Sequence, residues 1–575
     1  MYSVRILDQN YNKATLTNGD YVLDIEGFEK IGKIFTDDIV SLDGKKLKLE
    51  KRNINQKTIL GVLELYSKYR FPANKRNIDR YKFKPISNNY PCFLVASKIK
   101  RKYRENVLVT IKYSSWESKL PYGEIVHVIG PISEHDSLCE GVLHKHNLIK
   151  KTIRFDKPVL NNIKSFKLDY IPHGYTDITH LKTLSIDPKG CLDIDDAFSW
   201  YFQNGKFNLG IHISDVVGTL NKLGANHIME NLTTSIYAPH RIINMFPTIL
   251  SNGIISLLPN KQRLAITMWL TIENSNIVDV RFEKTVIINK HGLSYESFEK
   301  MCKKHDEYAM IFNKIKHLNY DFYTDLDSFD SHTFIEKMMI IYNVESAKYI
   351  IKHGYTPVFR THQKATNLLV PDKIDTKLEK FINIIRSNAA SYTFSYKQDG
   401  HSALNLDIYT HSTSPIRRFV DCYNHSLIHN IFENKQKFNL PINLELINNT
   451  NKLAKKATRD FNKLCLIKNI IETENHKYKG YIYDFEVETG KVHIYLPSNK
   501  ISIVTNIFSS KLDKIMSIHV NFKNTITIRN NIKDVSCEIP LFKLINMEIY
   551  TVSNTSNPYK NIIVKFAQLE DLLSS

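Results

Sequence analysis

The segment TLSIDPKGCLDIDDAFSW, residues 183–200, places four carboxylates within ten positions of a chain that is otherwise strongly basic. Asp187 ends an apolar run, Pro188 to Gly190 supplies turn chemistry, and the return through Asp193, Ile194 and Asp195 sets two carboxylates on one face if extended. Like charges this close raise one another's pKa unless a cation neutralises them. Hard oxygen donors with few neutral ligands suit Mg²⁺ or Mn²⁺. A calcium loop of the EF-hand type fits poorly, because its glycine would stand two positions later and its twelfth position, here Phe198, should be acidic. An exposed acidic turn is the bland alternative. Leu184, Ile186, Ile194, Ala197 and Phe198 argue against it, since they would bury the segment.

Outward from this cluster, residues 173–475 mix strand and helix, with an alternating strand at Phe207, Leu209, Ile211 and Ile213 and helical stretches near 377–392 and 449–474. Residues 1–172 show short β-type runs such as YVLDI (21–25), DIVSL (38–42), CFLVA (92–96) and NVLVTI (106–111). The last hundred residues return to this pattern, with a hairpin turn expected at Glu488–Gly490. With 575 residues the chain is too long for one core. The spacing predicts small β-barrels on either side of a large α/β portion.

A formal charge of +19 makes a polyanion the first partner to consider. No apolar stretch approaches the roughly 20 residues needed to cross a bilayer, and no basic amphipathic helix stands near a terminus, so nucleic acid leads over a membrane surface. The start lacks a secretory core and the seven cysteines contain no CxxC pair, which predicts an intracellular, cytoplasmic or nuclear, protein with reduced thiols. Tyr66, Lys68, Tyr69, Arg70, Phe71, Arg80, Tyr81, Lys82, Phe83 and Lys84 interleave rings and cations. That pattern suits bases stacking while cations follow a backbone, or equally a half-buried strand with solvated lysines. Lys98, Lys100, Arg101, Lys102 and Arg104 form a second such cluster.

A second informative segment is YTHSTSPIRRFVDCYNHSLIHNIF, residues 409–432. Ser414 is a helix cap and Pro415 a first-turn residue, with Ile416, Phe419, Val420, Tyr423 and Leu427 on one buried face. Arg417 and Arg418 then fall in the first turn, where a helix already favours an anion, and a phosphate is the expected one. Pairing of Arg418 with Asp421 is the alternative.

DPKGCLDIDDAF, HISDVV (212–217), LSNGIISLLPNKQRLA (250–265) and HSALNLDIYTHSTSPIRRFVD (401–421) together resemble the signatures of the ribonuclease II/R (RNB) family, in its order. VTIKYSSWESKLPYGEIVHVIGPI (109–132) looks like the second cold-shock barrel of the exosome's catalytic subunit. The resemblance implies a multi-domain α+β chain: cold-shock OB-fold barrels at 1–88 and 89–172, an α/β RNB catalytic domain at 173–475, and an S1-type OB barrel at 476–575.

It further implies a processive 3′→5′ exoribonuclease that threads single-stranded RNA and releases nucleoside 5′-monophosphates. Two ions, Mg²⁺ or Mn²⁺, would be held by Asp187, Asp193, Asp195 and Asp196, with Asp195, Asp193 and Arg417 catalytic. Tyr237 matches a base clamp and Tyr295 a tyrosine that prefers ribose, while Arg360 and Arg418 join the RNA-binding set. In VFRTHQK (358–364), Arg360 and His362 line the RNA path or brace it, and a packed core histidine remains open for His362.

Nothing precedes the first barrel, so exonucleolysis alone is expected, and no long basic tail ends the chain, which argues against unwinding of structured RNA by the chain itself; activity as a monomer is expected. The first barrel matches least well, with a lysine-rich loop at Lys45–Lys57. A catalytically silent RNA-binding scaffold of an RNA decay complex, with a protein partner there, is the alternative, and a DNA-directed nuclease is a third.

Overall fold

The computed structural model describes residues 1–44, 46–149, 153, 155–320, 329–362, 374–376, 378–379, 381–382, 390–396, 400–434, 440–486, 491–506, 516–521, 525–530, 535–551, 557–560 and 562–566. The chain begins with a five-stranded sheet ordered Tyr21–Glu26, Lys13–Asn18, Tyr2–Ile6, Ile39–Asp43, Lys46–Lys51. The first half of the lysine-rich segment expected as a loop, Lys46–Lys51, is thus an edge strand. Its lysines alternate with Leu47 and Leu49, and the strand pairs back on Ile39–Asp43.

A closed barrel follows, formed by Tyr122–Pro131, Phe93–Ala96, Arg80–Pro85, Thr58–Glu64 and Val107–Ser115 in hydrogen-bonded order. The expected division at 88/89 falls inside it. Thr58–Glu64 pairs with both Arg80–Pro85 and Val107–Ser115, so the strands before residue 88 close the second module rather than complete the first. The two modules also share one core, in which Phe35 stacks on Phe93 with centroids 6.0 Å apart and packs on Trp116 at 4.8 Å. Contiguous apolar burial of this kind joins the modules as the hydrophobic effect joins layers of one domain.

The central sheet has the order Thr176–Asp177, Asn276–Ser294, Thr183–Asp187, Asp196–Gln203, Lys206–Ser214, Gln262–Glu273, and the long strand Asn276–Ser294 pairs with Gln262–Glu273 as well. Five strands therefore meet in a ring. Phe207, Leu209, Ile211 and Ile213 are buried as their alternation predicted, and they face Phe298, Phe334, Met338 and Ile341 from the helices Tyr295–Lys304 and Ser331–Lys352.

The helix expected near 449–474 runs Leu444–Thr473, capped by the Asn443 side chain accepting from Leu446 N–H. It packs on the helix His135–Lys145 through Phe461 and Leu464 against Cys139, Val142 and Leu143. Of the expected 377–392 helix, residues 383–389 lie outside the described residues, and Ser391–Thr393 is a strand paired with Phe359–Thr361.

At the C-terminal end, Ile501–Asn506, Lys491–Leu496, Lys477–Glu486, Leu544–Thr551 and Ile562–Phe566 form one sheet, and Met516–Asn521, Thr525–Asn530 and Val535–Pro540 another. Ile482, Ile494, Ile526, Ile539 and Ile549 of both sheets share a core. The hairpin turn predicted at Glu488–Gly490 lies outside the described residues. Among the described residues no helix is long and apolar enough to cross a membrane.

Candidate active site

Two adjacent strands build the acidic wall. Thr183–Asp187 runs parallel to Asn289–Ser294 in a register that sets Asp187 opposite Ser294, so Tyr295, the next residue, stands beside Asp187. Gly190, at φ +83°, closes the turn after Asp187, and Cys191 N–H donates to Pro188 O at 3.0 Å. Only glycine adopts that backbone region freely. The return segment is pinned by Ile194 N–H to Ser256 Oγ (2.9 Å) and by Ser214 N–H to Asp195 O (2.9 Å) before Asp196 enters the next strand.

The arginine segment differs from expectation in one respect. The helix begins at Phe419, not in the turn after Ser414, and Arg418 is its extended N-cap. Asp421 causes this: its Oδ1 accepts from Ser414 N–H and from Arg418 Nη2, both at 2.7 Å, which folds residues 414–418 into a turn ahead of the helix. Arg418 is accordingly the carboxylate-paired arginine of the two alternatives. Arg417 Nε donates to Asp195 Oδ2 (3.1 Å), Arg417 Nη2 to Ser414 Oγ (3.0 Å), and Ile416 N–H to Asp195 Oδ1 (2.9 Å).

All four aspartates, Tyr237, Tyr295, Arg360, Arg417 and Arg418 line a single cavity of about 760 Å³. Tyr237 Oη donates to Asp193 Oδ2 at 3.0 Å, although the ring is 47% exposed. Tyr295 stacks on His332, with centroids 3.8 Å apart. His362 is buried and bonded to Ser402 Oγ (2.7 Å), the packed core histidine of the two alternatives.

The cavity also takes in residues that spacing did not single out: Cys191, Glu336, Asn343, His401, Tyr409 and His411. Cys191, His401, Tyr409 and His411 lie inside the quoted motifs. Glu336 and Asn343 were legible only as polar positions about two turns apart in an apolar helix.

The aromatic and basic residues of the barrels divide between the two readings weighed for them. Phe83 is core and Lys84 pairs with Glu64 (2.7 Å), whereas Tyr69 is exposed and Tyr66 lies under Lys100 Nζ at 4.9 Å.

Electrostatics of the acidic wall favour a cation. Burial lifts Asp187 to about 6, with Asp193 adding to the shift, and lifts Asp195 to about 7 against the opposing pull of Arg417. Burial followed by Asp187 and Asp195 raises Asp196 well above the carboxylate range. Asp187 Oδ2 is buried without a hydrogen-bond partner. A buried orphan oxygen among mutually repelling carboxyls fits a divalent ion, which supplies both partner and charge. Among the described residues no three acidic, histidine or cysteine side chains converge as a complete metal site. Asp193 is turned toward Tyr237, and Asp195 toward Ile416 and Arg417.

Fold and cavity thus define a multi-barrel protein built around an acidic, arginine-backed α/β domain. The RNB domain model matches residues 175–320 and 305–434, and the Dis3-like cold-shock domain 2 model matches residues 80–147, across the division expected at 88/89. Residues 175–434 thus carry an RNB domain.

The chain is 24% identical over 417 residues to ribonuclease R of Chlamydia pneumoniae, covering 60% of this chain and 61% of the relative. The chain therefore spans about three fifths of that relative's length. The structure of Mycoplasma genitalium RNase R in complex with ribose-methylated single-stranded RNA superposes with a TM-score of 0.73 at 17% identity, covering 98% of this chain and all of that one. Yeast Ssd1, described as a pseudonuclease, superposes with a TM-score of 0.59 at 14% identity, covering 98% of this chain and 96% of that one. The two structural likenesses speak to fold alone.

Proposed function

We propose that the protein is a processive 3′→5′ exoribonuclease that hydrolyses single-stranded RNA to nucleoside 5′-monophosphates. The observation that carries this reading is the meeting in one cavity of Asp187, Asp193, Asp195, Asp196 and Arg417 with Tyr237 and Tyr295. The four aspartates would hold two Mg²⁺ or Mn²⁺ ions, which when bound supply an activated water and stabilise the leaving 3′ oxygen of an in-line displacement. Asp187 Oδ2 is the donor without another partner. Asp195 ties that acidic wall to Arg417, whose planar guanidinium would steady charge on a scissile phosphate. Tyr237, anchored through its hydroxyl to Asp193, presents an exposed ring for base stacking near the reacting bond. Tyr295, next to Asp187 in the sheet register, would contact the ribose.

The decisive experiment follows 5′-labelled single-stranded RNA of about 30 nucleotides with Mg²⁺, wild type beside Asp195→Asn, with products identified. Steady conversion to a very short end product with 5′-monophosphates, lost in the variant, supports the reading. The competing reading is an RNA-binding scaffold, which the engagement of Asp193 by Tyr237 and of Asp195 by Arg417 would favour. Tight binding that is indifferent to Mg²⁺ and to Asp195→Asn, with no cleavage, would establish that competitor instead. Equal cleavage of a strand carrying 2′-deoxy sugars beside the cut would make the substrate DNA as much as RNA.

A further inference from the structure

The ring of Tyr237 stands on a short hairpin whose strands, Ile236–Tyr237 and Ile242–Ile243, make only two residue pairs. Across the tip, Ala238 N–H donates to Arg241 O at 3.1 Å. A ladder this small is marginal by itself, so groups outside it set where the ring lies.

The hairpin is anchored at both ends. At the stem, Ser235 N–H and Thr234 Oγ1 donate to Arg417 O, each at 2.9 Å, and Phe419 N–H donates to Thr233 O at 2.9 Å. At the tip, Arg241 Nε and Nη2 donate to Glu140 Oε2 and Oε1, each at 2.8 Å. His240 Nε2 lies 2.9 Å from Oε2 of the same carboxylate, and His144 Nε2 lies 4.0 Å from Oε1. A forked pair of this kind fixes direction as well as distance. Burial opposes ionisation of Glu140, yet the hydrogen bonds from Arg241 and His240 pull it down to about 2. The Tyr237 hydroxyl reaches Asp193 from between the two anchors.

Glu140 belongs to the helix His135–Lys145, which follows the closed barrel and precedes the central sheet. That helix is a fixed platform. Lys145 Nζ and His146 Nε2 meet Asp460 Oδ2 of the helix Leu444–Thr473 at 2.8 and 2.7 Å, and Tyr559 Oη donates to Leu138 O at 2.9 Å. Ile236 and Ile243 are buried in one cluster with Val142 and Leu143, so apolar packing holds the hairpin's root while the carboxylate holds its tip.

We propose that Glu140 is a positioning residue for Tyr237: by clasping His240 and Arg241 it holds the hairpin tip against the barrel's helix and sets the ring where an RNA base stacks on it. The second barrel module thereby shapes the cavity without touching the substrate there. The assignment rests on the reading of Tyr237 as a base-stacking residue of an RNA-cleaving cavity.

The test uses the full chain in EDTA, so that no cleavage intervenes, and single-stranded RNA with one 2-aminopurine placed in turn at each of the positions nearest the 3′ end. Wild type should quench the fluorophore most at one position, and Tyr237→Ala should lose that quench. Glu140→Gln should lose most of it as well and weaken affinity about fivefold, the scale of one partly exposed charge pair. In the Tyr237→Ala background Glu140→Gln should add nothing, an outcome that general destabilisation would not produce. Arg241→Lys, which keeps the charge but not the fork, should lie between wild type and Glu140→Gln, and it carries the test if Glu140→Gln does not fold. Wild-type quench and affinity in the clasp variants, or losses of equal size with and without the Tyr237 ring, would overturn the proposal. A Tyr237→Ala chain that quenches as wild type does removes the stacking role and this inference with it. A parallel Mg²⁺ time course separates the two readings: RNA that is cut without coupling between Glu140 and Tyr237 sinks this inference alone. RNA that is bound with such coupling but never cut sinks the nuclease and leaves the positioning residue.

Discussion

Asp195 is the residue on which the site turns, because it is buried and its carboxylate joins the acidic loop to the arginine segment through Ile416 N–H and Arg417. Asn in its place keeps one acceptor oxygen but removes the charge that orients Arg417 and would help hold a cation. Turnover should fall by at least about a hundredfold, the scale of losing a preorganised electrostatic group, while RNA affinity changes little. Single-turnover cleavage beside an EDTA binding curve checks both halves.

The same burial predicts a pH signature. Folded-state values of about 6 for Asp187 and about 7 for Asp195 lie above the ordinary 3.8, so the folded chain holds these protons more tightly than the unfolded chain. Their contribution to stability is complete below about pH 4 and is lost as pH rises through about 6 to 7. A divalent ion should restore it. Mg²⁺ should therefore raise the melting temperature by several degrees at pH 8 and by much less at pH 5. Equal shifts at the two pH values would separate the ion from these carboxyls.

Among elements, the turn at residues 414–418 shows what sequence could and could not give. Ser-Pro followed by an apolar helical stripe announced a helix, and that helix is present, but its start moved to Phe419. Asp421, seven residues beyond Ser414, accepts from both Ser414 N–H and Arg418 and holds the intervening chain out of the helix. A side-chain bond of that kind is invisible to periodicity.

The 88/89 division failed for a similar reason. Strand runs were legible one by one, whereas their partners across 40 or more residues were not, as Thr58–Glu64 pairing with Val107–Ser115 illustrates. The acidic cluster was legible because four carboxylates inside apolar flanks have few other uses. Glu336, on a helix more than a hundred residues later, carried no such local signal. The Asp421 anchor yields its own prediction. Asp421→Asn leaves the partly buried Arg418 without its counter-charge, a loss of about 2 kcal/mol. It should appear as faster amide exchange through the helix Phe419–Glu433 and reduced cleavage, with the barrel modules protected as before. Unchanged exchange in that helix would show that the turn is held by packing alone.

On the scale of the whole molecule, a chain with a formal charge of +19 encloses a cavity walled by carboxylates. The two kinds of charge are found in different places. Exposed rings and cations such as Tyr66, Tyr69 and Lys100 lie on the barrels, while the aspartates are enclosed by the central sheet and the arginine turn. Long-range capture and local chemistry should then respond differently to salt. Each phosphate neutralised on a single strand contributes about 0.7 to the slope of log affinity against log salt, so an RNA reaching about six cationic contacts should show a slope near −4. An oligonucleotide short enough to occupy the cavity alone should give a slope nearer −1 to −2, since there only Arg417 and its neighbours would meet its phosphates. Fluorescence anisotropy over a salt series with a 30-mer and a tetramer measures both. Parallel slopes would place nearly all phosphate recognition inside the cavity, and the charge of the barrels would then serve another partner or solubility alone.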